Sequence, residues 1–197
     1  MFTDARSKKL VLVAHCILNQ NSISDGTADY PGSIKEVVSL LLQSQCGIVQ
    51  MPCPELHCLG LDRGDVHGAE RPVVVENTRI RDSMRRRPAV RTLQVLVRSL
   101  VYQIDQYLRH GFTVLGIVGI DRSPSCGVNT TSMSNREVEG QGIFIEELRK
   151  ELEKRNVHTE WIGIKAADTE KALLSIQELL SRRRNSRIPG ANPQQRR

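Results

Sequence analysis

The segment KLVLVAHC, residues 9–16, is a short apolar run that ends in a histidine and a cysteine. Two further runs, GIVQM and VLGIVGI, are closely followed by Cys53 and Cys126. Runs of this length and composition are typical of buried strands in a parallel sheet, whose carboxyl ends lie along one edge. The sequence therefore predicts that three thiols, those of Cys16, Cys53 and Cys126, meet at that edge.

Longer amphipathic segments alternate with these runs, which is the pattern of βα units. The clearest extends from Val90 to Leu108, where apolar residues recur at helical spacing until Gly111 ends the helix. The pattern also predicts a fourth strand over 160–164 and three more helices, over 34–44, 142–155 and 168–181. We therefore expect a single α/β domain with a mainly parallel sheet, flanked by helices, and a site at the carboxyl ends of its strands.

Two segments lack this regularity. Residues 60–88 carry many charges and little periodicity, so we predict a long loop there, with an irregular strand at Val73–Val75. Residues 182–197 hold six of the 28 basic residues and no acid, whereas the rest of the chain balances its 22 acidic residues. We expect the α/β domain to span 1–181 and the basic tail over 182–197 to be disordered.

Composition excludes several classes of protein. At 197 residues the chain is long enough to bury a core without disulfides, and its five cysteines do not form the even set of a secreted framework. No apolar run approaches the roughly 20 residues of a membrane span, and no signal peptide is evident. We expect a cytoplasmic protein without a membrane partner, and a neutral folded body that does not bind nucleic acid.

The local sequences distinguish the cysteines from one another. Cys126 lies in SPSCG and Cys53 in PCPE, where prolines and glycine stiffen or tighten the backbone around the thiol. Cys46, at a helix-to-strand junction, is expected to pack as a small apolar residue. Cys58 forms a close pair with Cys53, so it is an alternative ligand.

Three thiolates at one edge indicate a metal centre. Zinc sites usually contain CxxC pairs, which this chain lacks, whereas iron–sulfur clusters accept separated thiolates. Three cysteines on a four-iron cluster leave one iron free for a substrate. Two alternatives stay open: a zinc or cysteine-thiol enzyme without iron, and an RNA-associated protein that acts through its arginine-rich tail.

The segments LVAHCILNQNS, MPCPELHCLGL and GIDRSPSCGV resemble those of the thiouracil desulfurase family, formerly a domain of unknown function. The resemblance covers about Leu10 to Gly142. Cys58 and Leu59 stand near the place where family members commonly have a Gly-Gly pair, so the chain is similar to a divergent, desulfidase-like branch.

The resemblance implies a [4Fe-4S] cluster held by Cys16, Cys53 and Cys126, with the fourth iron binding the substrate's sulfur. It also implies acid–base work for Glu55, while Ser123 or Ser125 would orient the substrate. The expected function is non-redox removal of sulfur from a thiolated small molecule such as a thionucleobase, with a possible sulfide acceptor as partner. His15, His57 and Cys58 are expected to act only through neighbouring groups.

Overall fold

The computed structural model of the protein describes residues 2–181, and the predicted tail at 182–197 lies outside them. The helices and strands in chain order are β1 (Lys9–Val13), α1 (His15–Leu18), α2 (Lys35–Gln43), β2 (Gly47–Gln50), α3 (Pro54–Leu59), α4 (Val73–Met84), α5 (Arg87–Arg109), β3 (Thr113–Ile120), β4 (Thr130–Met133), β5 (Arg136–Glu139), α6 (Ile143–Glu153), β6 (Glu160–Ile164) and α7 (Thr169–Ser181).

Four parallel strands form the main sheet in the order β2-β1-β3-β6. In its centre, Val11 pairs with Ile48 of β2 and with Gly116 of β3. The run Leu10–Val13 is buried throughout, because helices cover both faces of a sheet of this kind. The predicted fold class is confirmed.

The helices form two layers, one on each face of the sheet. The chain moves from β1 outward to β2, then returns past β1 to β3 and continues to β6, so its direction reverses once. α2 and α7 pack together on one face, and α5 and α6 pack together on the other. The chain segments that leave the carboxyl ends of β1 and β3 therefore diverge.

The helix α5 follows the predicted amphipathic pattern. Pro88 lies in its first turn, where a missing N–H costs no helical hydrogen bond. Its buried stripe faces the core, and it consists of Ala89, Leu93, Val97, Leu100, Val101 and Ile104.

The prediction of a loop with a strand at Val73–Val75 is wrong, because these valines open the helix α4. The buried face of α4 combines Ile80 and Met84 with three polar side chains, those of Glu76, Asn77 and Arg81. Polar residues at buried positions conceal the helical period, so hydrophobic periodicity could not find this helix.

A two-stranded antiparallel hairpin, β4 with β5, follows β3 and was not predicted. The turn before it is organised by Asp121, whose Oδ1 accepts the N–H groups of Val128 at 3.1 Å and Asn129 at 2.8 Å. Any side chain on Gly163 would collide with this carboxylate, so the close approach of β6 requires glycine there.

β6 is one edge of the main sheet. Its Trp161 pairs with Ile117 of β3, and the guanidinium of Arg149 on α6 lies 4.5 Å from the indole centroid.

None of the helices within residues 2–181 is long and apolar enough to cross a membrane. Cys46 packs in the core as predicted, with 8% of its surface exposed.

Candidate functional site

A cavity lies at the carboxyl ends of the strands, where the direction of the chain reverses between β1 and β3. Open parallel sheets bind ligands in this crevice, because the loops that follow the two strands diverge to opposite faces. The cavity is lined by all the residues predicted to form the site, which are Cys16, Cys53, Glu55, Ser123 and Cys126. The predicted convergence of the three cysteines is therefore seen in the structure.

Cys16 lies in the short helix α1, directly after β1. The amide of Gln20 folds back on this turn and donates to the Cys16 carbonyl at 3.0 Å, while its oxygen accepts the Asp29 N–H at 3.1 Å. The Gln20 side chain therefore joins two parts of the loop that carries Cys16.

Cys53 begins the helix α3 rather than an isolated turn. The backbone N–H of Leu56 points at Cys53 Sγ over 3.5 Å, and Pro54 occupies the first turn. Arg63 Nη2 lies 3.8 Å from the same sulfur. Both groups are donors, so they suit a thiolate at this position.

Cys126 is held in a tight loop between β3 and β4. Its N–H donates to Ser123 Oγ at 3.0 Å, and its sulfur lies 3.6 Å from Ser125 Oγ. A Cβ on Gly142, which precedes α6, would overlap the Ser125 carbonyl group. The start of α6 therefore packs directly against the loop that carries the thiol.

Burial is the main cause of the raised pKa values of the three thiols. Burial is the largest cause that raises the pKa of Cys16 to about 12, with Cys53 and Glu55 contributing as neighbouring negative groups. Burial also raises the pKa of Cys126 well above 9.0, with Cys16, Cys53 and Glu55 contributing. The same causes, burial first and then Glu55, raise the pKa of Cys53. Arg63 lowers the pKa of Cys16 and of Cys53, but burial outweighs it, so the thiols keep their protons at neutral pH.

Glu55 is buried, with 7% of its surface exposed, and hydroxyl and guanidinium groups surround its carboxylate. Ser125 donates to Oε1 at 2.5 Å, and Ser123 is further away at 3.5 Å. Arg63 Nε donates to Oε2 at 3.1 Å, and Ser24 donates to the same oxygen at 3.3 Å. Of the two serines considered from the sequence, Ser125 makes the shorter bond.

Arg63 is a central residue of the site that sequence reasoning missed. Only 2% of its surface is exposed, and its guanidinium donates to the carbonyls of Ser22, Gly60 and Leu61 as well as to Glu55. It joins the carboxylate to the sulfur of Cys53. No motif marks it, because its partners are divided among helix α3, its own loop and the segment at Ser22.

Arg81 and Asn77 of α4 were also missed, since the helix itself was not predicted. Arg81 Nη1 donates to the carbonyls of Pro124 at 3.0 Å and Gln141 at 3.2 Å, so it supports the Cys126 loop from behind. Asn77 lines the cavity itself.

The groups expected to act through neighbours lie at the margin of the site. His57 Nδ1 is 2.7 Å from the Cys53 carbonyl, and the Cys58 thiol donates to the Ala89 carbonyl at 3.4 Å. Burial lowers the pKa of His15, with His57 and Arg63 adding to the effect, so its imidazole is neutral at pH 7. Unlike His15, Cys58 does not line the cavity.

The described side chains around the cavity do not form a site for a single metal ion. Within residues 2–181, no three His, Cys, Asp or Glu side chains are placed to hold one metal ion. A four-iron cluster makes a different demand, because each thiolate sits on its own iron and the sulfurs lie further apart. Three free thiols around one cavity, with N–H donors beside Cys53, fit such a cluster.

Fold and cavity together define the class: an α/β domain with three cysteines at the reversal point of a parallel sheet. The chain is 31% identical over 152 residues to an uncharacterized protein of Methanocaldococcus jannaschii. The aligned residues make up 77% of this chain and 83% of the archaeal protein. It therefore belongs to the same family as that protein. No family model matches the chain, and no solved structure matches it significantly.

Proposed function

We propose that this protein is a desulfurase that removes sulfur from a small thiocarbonyl compound, like the thiouracil desulfurases that its motifs resemble. One observation carries the proposal: three thiols, a buried carboxylate and two serine hydroxyls line one cavity. We further propose a reducing, cytoplasmic setting, because all five cysteines are free and the site needs reduced thiols.

Cys16, Cys53 and Cys126 would hold a [4Fe-4S] cluster with one iron free of protein ligands. When bound, the cluster would supply this iron as a thiophilic Lewis acid for the sulfur of the substrate. Arg63 supports the arrangement, because its charge lies beside Cys53 Sγ and offsets the negative charge of a thiolate group.

The net reaction exchanges sulfur for oxygen and consumes one water molecule. The water oxygen forms the new C=O bond, the C=S bond breaks, and both water protons leave with the sulfur as hydrogen sulfide. The reaction involves no net electron transfer, so it needs no oxidant or reductant. The sulfide then leaves to solvent or to an acceptor.

Glu55 is the residue we assign to proton transfer. As a buried carboxylate in the cavity, it would accept a proton from the attacking water and return it to the leaving sulfur or to a ring nitrogen. Arg63 and Ser24 hold its Oε2, while Ser125 and Ser123 approach Oε1. These serines line the cavity beside the carboxylate, where a hydroxyl can also orient the thiocarbonyl.

The raised thiol pKa values favour this proposal over a cysteine-thiol enzyme. A nucleophilic cysteine normally has a lowered pKa and a neighbouring base, whereas burial raises the pKa of Cys16, Cys53 and Cys126. Binding a positive iron group in their midst reverses that effect, because metal ligation displaces the thiol protons.

The test is anaerobic purification, reconstitution with iron and sulfide, and chemical analysis of both elements beside visible and paramagnetic spectra. We expect about four irons and four sulfides per chain. Cys16→Ala, Cys53→Ala and Cys126→Ala should each lose them, while Cys46→Ala and Cys58→Ala keep them. Wild-type protein without stoichiometric iron would overturn the proposal.

Glu55→Gln separates chemistry from cluster binding. This variant should keep its iron but lose about 10²–10⁴-fold in the rate of sulfide release from a thiolated base, the usual contribution of a general acid–base. Full activity in Glu55→Gln would remove Glu55 from the mechanism.

A further inference from the structure

Asn77 has a side-chain oxygen that the protein leaves unused. The residue is 7% exposed and lines the cavity. It lies one helical turn after Val73, which also lines the cavity, and one turn before Arg81, which supports the Cys126 loop. This face of α4 therefore forms one wall of the site.

The hydrogen bonds of Asn77 determine which end of its amide faces the cavity. Nδ2 donates to the Arg122 carbonyl at 3.4 Å and to Ser132 Oγ at 3.2 Å. Ser132 Oγ in turn donates to the Arg122 carbonyl at 2.8 Å, so toward Asn77 it acts as an acceptor. Two acceptors hold the NH₂ group, and the carbonyl end is left for the other side.

Within residues 2–181, Asn77 Oδ1 has no hydrogen-bond partner. It is not sealed inside the protein, in contrast to Arg81 Nε, which is fully buried without a partner. Since Asn77 is otherwise buried and lines the cavity, its remaining access leads there. A ligand that fills the cavity displaces water from this fixed acceptor, so a ligand that donates to Oδ1 is favoured over one that leaves it unpaired.

We propose that Asn77 is a specificity-determining residue, whose Oδ1 accepts the N–H group next to the C=S bond of the substrate. This inference rests on the proposed function and narrows its substrate class to thioamides and thiolactams with a free N–H. Compounds that present an alkylated nitrogen or a second acceptor at this position leave Oδ1 unpaired and are rejected.

The experiment compares two probes that differ at this nitrogen, pyridine-2-thione and N-methylpyridine-2-thione, on the reconstituted wild-type protein. We expect a tenfold or larger preference for the N–H compound in kcat/KM, the ratio that corresponds to about 1.4 kcal/mol. Calorimetric binding of the oxygen counterparts, 2-pyridone and N-methyl-2-pyridone, gives a second readout that does not depend on turnover and should show the same preference.

Asn77→Leu removes the acceptor while keeping a side chain that branches at Cγ, and it should abolish the preference in both readouts. Thr78→Val is the matched control, because Thr78 lies on the same helix but does not line the cavity. Circular dichroism and iron content confirm folding, and the wild-type comparison stands even where a variant does not fold.

The outcomes separate the two proposals. The role of Asn77 is overturned if wild type shows equal kcat/KM values and equal affinities for the N–H and N-methyl compounds. It is also overturned if the preference for the N–H compound persists in Asn77→Leu. Turnover of neither thione, combined with an N–H preference in pyridone binding, supports that role and counts against desulfuration of these compounds.

Discussion

The ion pair between Glu55 and Arg63 is the most deeply buried charged contact of the site. Its side chains are 9% and 2% exposed, and Arg63 also holds three loop carbonyls. Arg63 itself adopts a left-handed backbone conformation, with φ of 56°, which residues other than glycine seldom adopt. The loop accepts this conformation to bring the guanidinium under the carboxylate.

We expect Arg63→Met to lower the free energy of unfolding by about 3–5 kcal/mol, because it leaves a buried carboxylate without its cation. Adding Glu55→Gln to this variant should restore part of the lost free energy of unfolding. Urea denaturation of the cluster-free protein measures both effects.

Arg109→Met is the matched control. Its ion pair with Asp105 lies on the surface, with the Arg109 side chain 67% exposed, so its removal should cost less than about 1 kcal/mol. Equal losses in the Arg63 and Arg109 variants would show that the buried pair has no special role.

At this scale the sequence predicted the residues that carry their own local signal. Cys53 and Cys126 stand in proline- and glycine-bounded motifs, and both line the cavity. Asn77 is placed by contacts with residues distant in the chain, and Arg63 by partners that follow no regular spacing, so no local pattern distinguishes them from surface arginines and asparagines.

Among the elements, the loop between β3 and β4 depends most on its neighbours. It is held by Arg81 of α4 from one side and by the start of α6 from the other, where Phe144 N–H donates to the Ser125 carbonyl at 3.0 Å. Gly142 permits this contact, because its missing side chain leaves room for the Ser125 carbonyl group.

We expect Gly142→Ala to displace the Cys126 loop, lower the free energy of unfolding by about 1–3 kcal/mol and reduce iron incorporation. Gly32→Ala is the control, since no atom lies within 4 Å of a Cβ at Gly32. Iron content after reconstitution and urea denaturation provide the measurements. Unchanged iron content in Gly142→Ala would mean that the loop does not need this contact.

The elements that sequence analysis predicted correctly are those with a regular apolar pattern or a local capping residue. β6 was predicted at its observed bounds, and α7 begins after Asp168, whose Oδ1 accepts the Lys171 N–H at 3.2 Å as an N-cap. Helix α4 was not predicted because its buried face is largely polar. The β4–β5 hairpin was not predicted because its strands are short and polar.

For the molecule as a whole, topology explains why distant cysteines meet. A parallel sheet with one reversal of direction collects the segments after β1, β2 and β3 at one edge. The prediction needed only the strand pattern and this rule, not the detailed packing. What it could not provide was the protonation state of the assembled thiols, which depends on burial and mutual distance.

We expect the cluster-free protein to lose stability as the pH rises above about 9. An unfolded Cys16 ionises near its ordinary pKa of 9.0, whereas the folded thiol, with a pKa of about 12, keeps its proton. The folded state then binds more protons, so the free energy of unfolding falls with pH until the folded pKa is reached.

Between pH 8 and pH 10, the free energy of unfolding of wild type should fall by about 1.4 kcal/mol more than that of Cys16→Ala. Urea denaturation under reducing, metal-free conditions measures the difference. Parallel pH profiles for wild type and Cys16→Ala would contradict a buried, protonated thiol.

Trp161 gives the domain a built-in optical probe. It is the chain's single tryptophan, on the edge strand β6 and under the guanidinium of Arg149. Its fluorescence therefore reports on one location, the contact between the last strand and α6. Emission that shifts before the helical signal is lost would show that the molecule opens from this edge, and a coincident change would show that sheet and helices unfold together.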